Sequence, residues 1–242
     1  MKDSKVLFVT GASSDIGVAL IKAVADNYVK IIAHCRSSRA RLEELSTELG
    51  EKLEIVQADF ADSKEVEAMI ETLKGKSLVP DHIVHLAAVP SMNKQFRKTA
   101  WQDFETEIDA DVRPIVQILS AFMPAMSKAK YGKVVFMLTS CTINTPKFKS
   151  TYTTAKYALL GLMKSLSAEY AEKGITVNGV SPDMIDTRFN DNVPDLIKES
   201  NAKEMPLGRN LTVQDVVPAF AFLLSDGADT ISGQNIPITQ GK

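Results

Sequence analysis

Short apolar runs recur along the chain, separated by stretches whose apolar residues fall at helical spacing. The first run, "KVLFVT" (5–10), is rich in β-branched residues and stops at Gly11, as a strand buried on both faces does. "SSDIGVALIKAVADN" (13–27) follows, with Ile16, Ala19, Leu20, Ala23 and Val24 on one helix face. The strand pattern returns in "VKIIAH" (29–34), "LEIVQADF" (53–60), "DHIVHLAA" (81–88), "GKVVFMLTS" (132–140), "ITVNGVSP" (175–182) and "QNIPIT" (234–239). Helices are predicted between them. "SSRARLEELSTELG" (37–50) has serines to start it and Gly50 to stop it, and "DSKEVEAMIETLKG" (62–75) has an Asp cap and a closing Gly. A long helical stretch covers about 97–128, interrupted at Pro114 and Pro124, another runs from about 150 to 173, and "TVQDVVPAFAFLLSD" (212–226) is the last. Residues 187–205 read as a mobile polar segment.

Strand and helix alternate from end to end. That pattern predicts an α/β fold: a doubly wound parallel sheet (a Rossmann fold) of about seven strands with helices on both faces. No linker-like tract, low-complexity segment or short internal repeat divides residues 1–242, which read as a single domain. In such sheets ligands bind at the carboxyl ends of the strands, where strand order reverses.

Composition narrows the function classes. At 242 residues, 45% hydrophobic and 24% charged, the chain can bury a core without staples. A net charge of −2 gives no global reason to expect nucleic acid or an anionic membrane. Cys35 and Cys141 are far apart and form no Cys-x-x-Cys pattern. His34, His82 and His85 sit in strand-like runs with no Cys or carboxylate at ligand spacing, so a structural or cofactor-side role is expected and no metal. The N-terminal residues lack the apolar core of a signal peptide, and no apolar run approaches the ~18 residues of a membrane span. The default expectation is the cytoplasm.

Two stretches carry candidate chemistry. In "TGASSDIG" (10–17) a strand, a turn of small residues and a helix start make a phosphate site of backbone N–H groups and helix dipole. Gly11 allows the turn, Gly17 allows close helix–strand packing, and Ser13, Ser14 and Ile16 lie between or beside them. In "STYTTAKYALLG" (150–161) Tyr152 and Lys156 stand one helical turn apart on one face. A phenol titrates near 10, and an adjacent cation lowers that value toward usable acid–base chemistry. The same spacing also suits an ordinary amphipathic helix.

"TGASSDIG", "ADF" (58–60), "HLAA" (85–88), "LTS" before "YTTAK", and "SPDMIDT" (181–187) occur in an order and spacing that resemble the short-chain dehydrogenase/reductase family. The resemblance covers essentially the whole chain and is greatest to the 3-oxoacyl-acyl-carrier-protein reductases. It implies that Tyr152 is the catalytic acid/base and that Lys156 holds the nicotinamide ribose and lowers the tyrosine pKa. It further implies a hydroxyl that orients the substrate carbonyl, Thr139 by ungapped count or Ser140 if the loop is one residue shorter. Asp59 and Phe60 match the adenine contacts, Ala87 and Ala88 the stretch along the cofactor, and Pro182, Ile185 and Thr187 the segment at the carboxamide. The second strand ends in "AHCRSS" (33–38), with no acid for a ribose 2′-hydroxyl. Arg36 with Ser37 suits a 2′-phosphate, so the expected cofactor is NADP(H). Arg39 and Arg41 are expected to add to the field.

The pattern breaks at several site positions. Asp15 stands at the usual second glycine, where a carboxylate would repel a pyrophosphate unless it turns away. His85-Leu86 replaces an asparagine pair, Ala88 a glycine, and Asp183 the glycine after Pro182. Asp111 stands at the family's catalytic asparagine, whose backbone carbonyl holds a water in a proton relay. Lys147 and Lys149 in "NTPKFKS" (144–150) border the expected cleft, and Lys130 and Lys173 match basic residues that dock an acyl carrier protein in relatives. The segment 187–205 matches the substrate lid. The leading expectation is an NADPH-dependent reductase of a small-molecule or carrier-bound ketone, such as a 3-oxoacyl thioester. The others are an alcohol or polyol dehydrogenase of the same family and a catalytically silent cofactor-binding subunit. The resemblance also implies a homotetramer or dimer.

Overall fold

A computed structural model describes residues 5–90 and 93–242. Seven strands form one sheet: β1 (Val6–Thr10), β2 (Lys30–Cys35), β3 (Leu53–Gln57), β4 (His82–His85), β5 (Gly132–Met137), β6 (Ile175–Pro182) and β7 (Asn235–Ile238). Their order is β3-β2-β1-β4-β5-β6-β7, and every neighbouring pair is parallel. Because side chains alternate across a strand, consecutive strand residues enter opposite cores. Leu7, Ile31, Val84 and Val135 join the core under α1 (Asp15–Val24), α2 (Ala40–Leu49) and α8 (Val213–Leu224). Phe8, Ile32, Ile83 and Val134 join the core under α3 (Ser63–Gly75), α5 (Arg113–Ala129) and α6 (Ser150–Glu169). The continuous apolar runs therefore arise from burial on both faces.

Several boundaries differ from the sequence expectation. Strands β3, β4 and β5 end earlier at their carboxyl ends. Ala58, Phe60, Leu86 and Leu138 stay apolar because they are buried beyond the last strand pair. The serines at 37–38 do not cap α2; Arg39 occupies that position and its side chain makes no capping hydrogen bond. Asp62 does cap α3, accepting the Lys64 N–H at 2.8 Å. The stretch over 97–128 is two helices, α4 (Trp101–Asp111) and α5, with Pro114 in the first turn of the second. Proline suits that position because its missing N–H would be unpaired there anyway. Pro124 does not end α5.

The segment 187–205 is not simply mobile and polar: it contains α7 (Asp195–Glu204). Pro194 before it, Asp195 in its first turn and Lys203 in its last fit helix-end chemistry. Asn201 fastens it, donating to Asp183 Oδ1 (3.2 Å) and Asn210 Oδ1 (3.0 Å). No helix among the described residues is long and apolar enough to cross a membrane. β1 lies between β2 and β4, so chain connections leave in opposite directions there and open a crevice at the strands' carboxyl ends.

Candidate active site

A cleft of about 1080 Å³ occupies that crevice. Its lining includes Gly11, Ser13, Ser14, Ile16, Arg36, Ser37, Asp59, Phe60, Ala87, Ala88, Thr139, Ser140, Tyr152, Lys156, Pro182, Ile185 and Thr187. Two residues expected at the site lie behind it. Gly17 packs under the loop, where a Cβ would meet the Ala12 carbonyl oxygen at 2.5 Å. Asp111 is fully buried behind Lys156 and lines no part of the cleft, so it acts through its neighbours.

At the nucleotide end, Gly11 adopts φ +66°, and a Cβ there would lie 2.8 Å from the Ala87 backbone nitrogen. Only glycine fits both demands. Ser14 caps α1 by accepting the Gly17 N–H at 3.0 Å. His34 fixes the turn from below. Its Nε2 is 3.0 Å from the Ala58 carbonyl oxygen and its Nδ1 is 3.2 Å from the Gly11 nitrogen. A carbonyl can only accept, so Nε2 carries the proton and Nδ1 accepts from Gly11. Burial lowers the His34 pKa to about 4, and the ring stays neutral. It stacks on Phe60 at 3.9 Å between centroids, so Phe60 serves the loop's support as well as the cleft. Asp59 Oδ1 accepts the Ala61 N–H at 3.0 Å within its own turn.

Asp15 does not threaten an anion as the sequence suggests. Its Oδ1 lies 2.8 Å from Arg41 Nη1 and 3.3 Å from Arg188 Nε, and its Oδ2 accepts the Arg188 backbone N–H at 2.9 Å. Burial would raise its pKa, but the Arg188 N–H and the charges of Arg188 and Arg41 bring it below the usual carboxylate value. These contacts also change the expected role of the neighbouring cations. Arg41 is committed to Asp15, and Arg39 pairs with Glu43 at 3.2 Å. Arg36 is exposed on the cleft and makes no ion pair or hydrogen bond with another described residue.

At the other end, α6 presents Tyr152 and Lys156 to the cleft, with Lys156 Nζ 5.6 Å from the Tyr152 ring centroid. Lys149 Nζ lies 5.4 Å from the same ring. Burial raises the Tyr152 pKa above its ordinary value; Lys156 and the Thr139 hydroxyl pull it down, but not enough to reverse the direction. Lys156 therefore acts in the expected sense, while the net shift is upward. Thr139 and Ser140 both line the cleft beside Tyr152; the Thr139 hydroxyl accepts the Cys141 N–H at 3.3 Å, and Ser140 opens the 3-10 turn Ser140–Thr142.

Two of the altered positions, His85 and Asp111, are joined to each other. Asp111 Oδ2 is 3.0 Å from Lys156 Nζ, and its Oδ1 accepts the Val89 N–H at 3.2 Å. His85 Nε2 is 2.9 Å from the Asp111 carbonyl oxygen, so it donates there. His85 Nδ1 then accepts from the Thr10 hydroxyl at 2.8 Å, whose oxygen accepts the Leu86 and Ala87 N–H groups. Burial and the nearby Lys156 charge lower the His85 pKa to about 3. The carbonyl expected to hold a water is thus already engaged by a neutral histidine. His82, at the far end of the sheet, bonds Tyr28 (2.7 Å) and Tyr131 (2.9 Å).

Sequence reasoning missed Glu107, which is buried one helical turn before Asp111 on α4. Its only signal was a four-residue spacing inside an acid-rich helix, which reads as a solvated face. The four lysines singled out also separate. Lys147 and Lys149 line the cleft, whereas Lys130 and Lys173 precede the amino ends of β5 and β6, at the opposite end of the sheet.

A doubly wound parallel sheet with a glycine turn on its first strand and a tyrosine–lysine pair across the crevice defines a short-chain oxidoreductase. The chain belongs to the short-chain dehydrogenase/reductase family: a family model described as enoyl-(acyl carrier protein) reductase matches residues 11–242. Among curated relatives, the 3-oxoacyl-(acyl-carrier-protein) reductase of Staphylococcus aureus strain Mu50 is 29% identical, covering 100% of this chain and 99% of that protein. The enzyme of the same name from Escherichia coli K12 is 27% identical, covering 99% and 97%. A gluconate 5-dehydrogenase from Burkholderia cenocepacia, solved in complex with NADP and tartrate, has the same fold. It superposes with a TM-score of 0.89 at 21% identity, covering 99% of this chain and 95% of that one.

Proposed function

We propose that the protein is an NADPH-dependent ketone reductase acting on a 3-oxoacyl thioester, carrier-bound or joined to coenzyme A. The observation that carries the reading is the convergence of Tyr152, Lys156 and Thr139 at one end of a cleft whose other end holds the Gly11 turn and Arg36. The residues fit a dinucleotide: a Cβ at Gly11 would close the space beside Ala87, and Arg36 offers a planar donor set to a 2′-phosphate. The nicotinamide supplies the hydride when bound. Tyr152 gives its proton to the carbonyl oxygen, and Thr139 donates a hydrogen bond to the same oxygen as charge develops there. Lys156 balances the phenolate left behind. Lys147 and Lys149 give the substrate mouth a positive edge suited to an anionic or carrier-borne acyl group.

One observation favours a second reading, a cofactor-binding but silent subunit: the Lys156 charge is already matched by Asp111 at 3.0 Å. Tyr152→Phe separates the two. For a reductase, turnover with NADPH and a 3-oxoacyl thioester is expected to fall by about 10²–10⁴-fold with cofactor affinity unchanged. A wild type with no turnover on any ketone or thioester tried would favour the silent subunit.

A further inference from the structure

Glu107 is the buried titratable group that the mechanism above leaves unused. Its side chain is 5% exposed, and its Oε2 has no hydrogen-bond partner among the described residues. It lies four residues before Asp111 on α4, and side chains at that spacing are neighbours on one helix face. α4 packs against α6, which carries Tyr152 and Lys156. Two carboxyls and the Lys156 ammonium thus share a buried space, with the Lys149 charge also felt at Glu107. Lys156 pairs with Asp111, and among the described residues no ion pair compensates a second carboxylate at Glu107, which makes its charge costly to bury.

We propose that Glu107 and Asp111 hold one proton between them beside Lys156, and that this carboxyl pair resupplies the proton that Tyr152 gives to the substrate. The direction of proton flow rests on the reductase reading; the shared proton does not. The backbone carbonyl of residue 111, where a water could sit, already accepts from His85 at 2.9 Å and keeps one lone pair free. A more direct route is the 3.0 Å ion-pair contact between Asp111 Oδ2 and Lys156 Nζ.

The steps balance. Tyr152 loses its proton to the substrate alkoxide and becomes a phenolate. The Lys156 ammonium returns a proton to that phenolate, directly or through one intervening hydroxyl or water. The carboxyl pair returns a proton to the Lys156 amine across the Asp111 contact, leaving both carboxylates ionised. One solvent proton then restores the pair, and no electrons move among these groups.

The charges facing Glu107 agree with this. Burial, then the Asp111 charge, raises its pKa to about 7, against the opposing pull of Lys156, Lys149 and the Thr151 hydroxyl. Burial also holds the Asp111 pKa above its ordinary value, while Lys156 and the Val89 N–H act in the opposite sense. The other groups of this pocket are the Tyr152 phenol, pushed upward, and the neutral His85 ring. Like charges on one helix face do not ionise together without cost, so the pair keeps one proton below about pH 7 and loses it as pH rises through that value.

The test reads protonation separately from turnover. Infrared difference titration of the whole protein is expected to show a protonated-carboxyl band that disappears on passing through neutral pH. The band should be absent from Glu107→Gln and should titrate at lower pH in Asp111→Asn, where the like charge is gone. In parallel, kcat for ketone reduction by NADPH is expected to fall as pH rises through neutrality in the wild type. In Glu107→Gln that dependence should flatten at a level roughly tenfold lower, with NADPH affinity unchanged. A wild type lacking the band, or pH profiles identical in wild type and Glu107→Gln, would overturn the proposal and leave Glu107 a structural carboxyl. If the wild type reduces no ketone, the reductase reading fails by itself, and the band still decides whether the proton is shared.

Discussion

Lys133 and Lys156 are both almost wholly buried, at opposite ends of one sheet, and each faces an aspartate. Lys133 Nζ lies 2.6 Å from Asp229 Oδ1, and the Asp229 side chain is 55% exposed. Lys156 Nζ lies 3.0 Å from Asp111 Oδ2, and those two side chains are 2% and 0% exposed. The difference is the solvation of the partner. Water reaches Asp229, so the Lys133 pair keeps much of its hydration and resembles a surface ion pair in its energetics. Sealing both members, as at Lys156, carries a desolvation penalty of several kcal/mol per ion that their attraction only partly offsets. A fold gains little stability from such a pair. It is kept where a charge is needed for chemistry, and the Lys156 end alone borders the cleft.

The two ion pairs differ most in what removing the aspartate does. Asp111→Ala takes the direct partner from a buried ammonium and is expected to cost up to about 3–5 kcal/mol, less the part that an ionised Glu107 restores, read by urea unfolding. Asp229→Ala should cost about 1 kcal/mol or less, because water can replace an exposed carboxylate. Equal losses would mean that solvation does not distinguish the pairs. The lysines come next. Lys156→Met should lower turnover by about 10²-fold or more, whereas Lys133→Met should leave it within about twofold. A smaller effect concerns pH. The Glu107 pKa is raised in the folded state, so its contribution to stability is full below its unfolded value of 4.5 and is lost as pH rises through about 7. The stability of Glu107→Gln relative to wild type should therefore increase across that window, measured as unfolding midpoints at fixed denaturant slope. No change with pH would place Glu107 in contact with solvent.

The sheet was legible because burial on both faces writes continuous apolar runs, and the glycine turn and tyrosine–lysine spacing are local signals. Carboxyl ends were read too long where Ala58, Phe60 and Leu86 are apolar for reasons of packing rather than pairing. α7 escaped because it has no buried residues and so no apolar stripe to betray it. The fate of Asp15 was hidden for a different reason. One of its two neutralising partners, Arg188, is 173 residues away in the chain, and only the fold brings the two together. Glu107 shows the same limit: an acid on a charged helix reads as solvated until a second helix is packed over it.

In the proposed function Arg36 receives the 2′-phosphate and the Gly11 turn admits the dinucleotide. The direct test is a fluorescence titration of the wild type and Arg36→Ala with NADPH and with NADH. NADPH should bind the wild type tightly and NADH much more weakly. Arg36→Ala should lose about 10–100-fold in NADPH affinity, the worth of charge-assisted hydrogen bonds, with NADH unchanged. Equal binding of both cofactors by the wild type, or binding of neither, would contradict the proposed function.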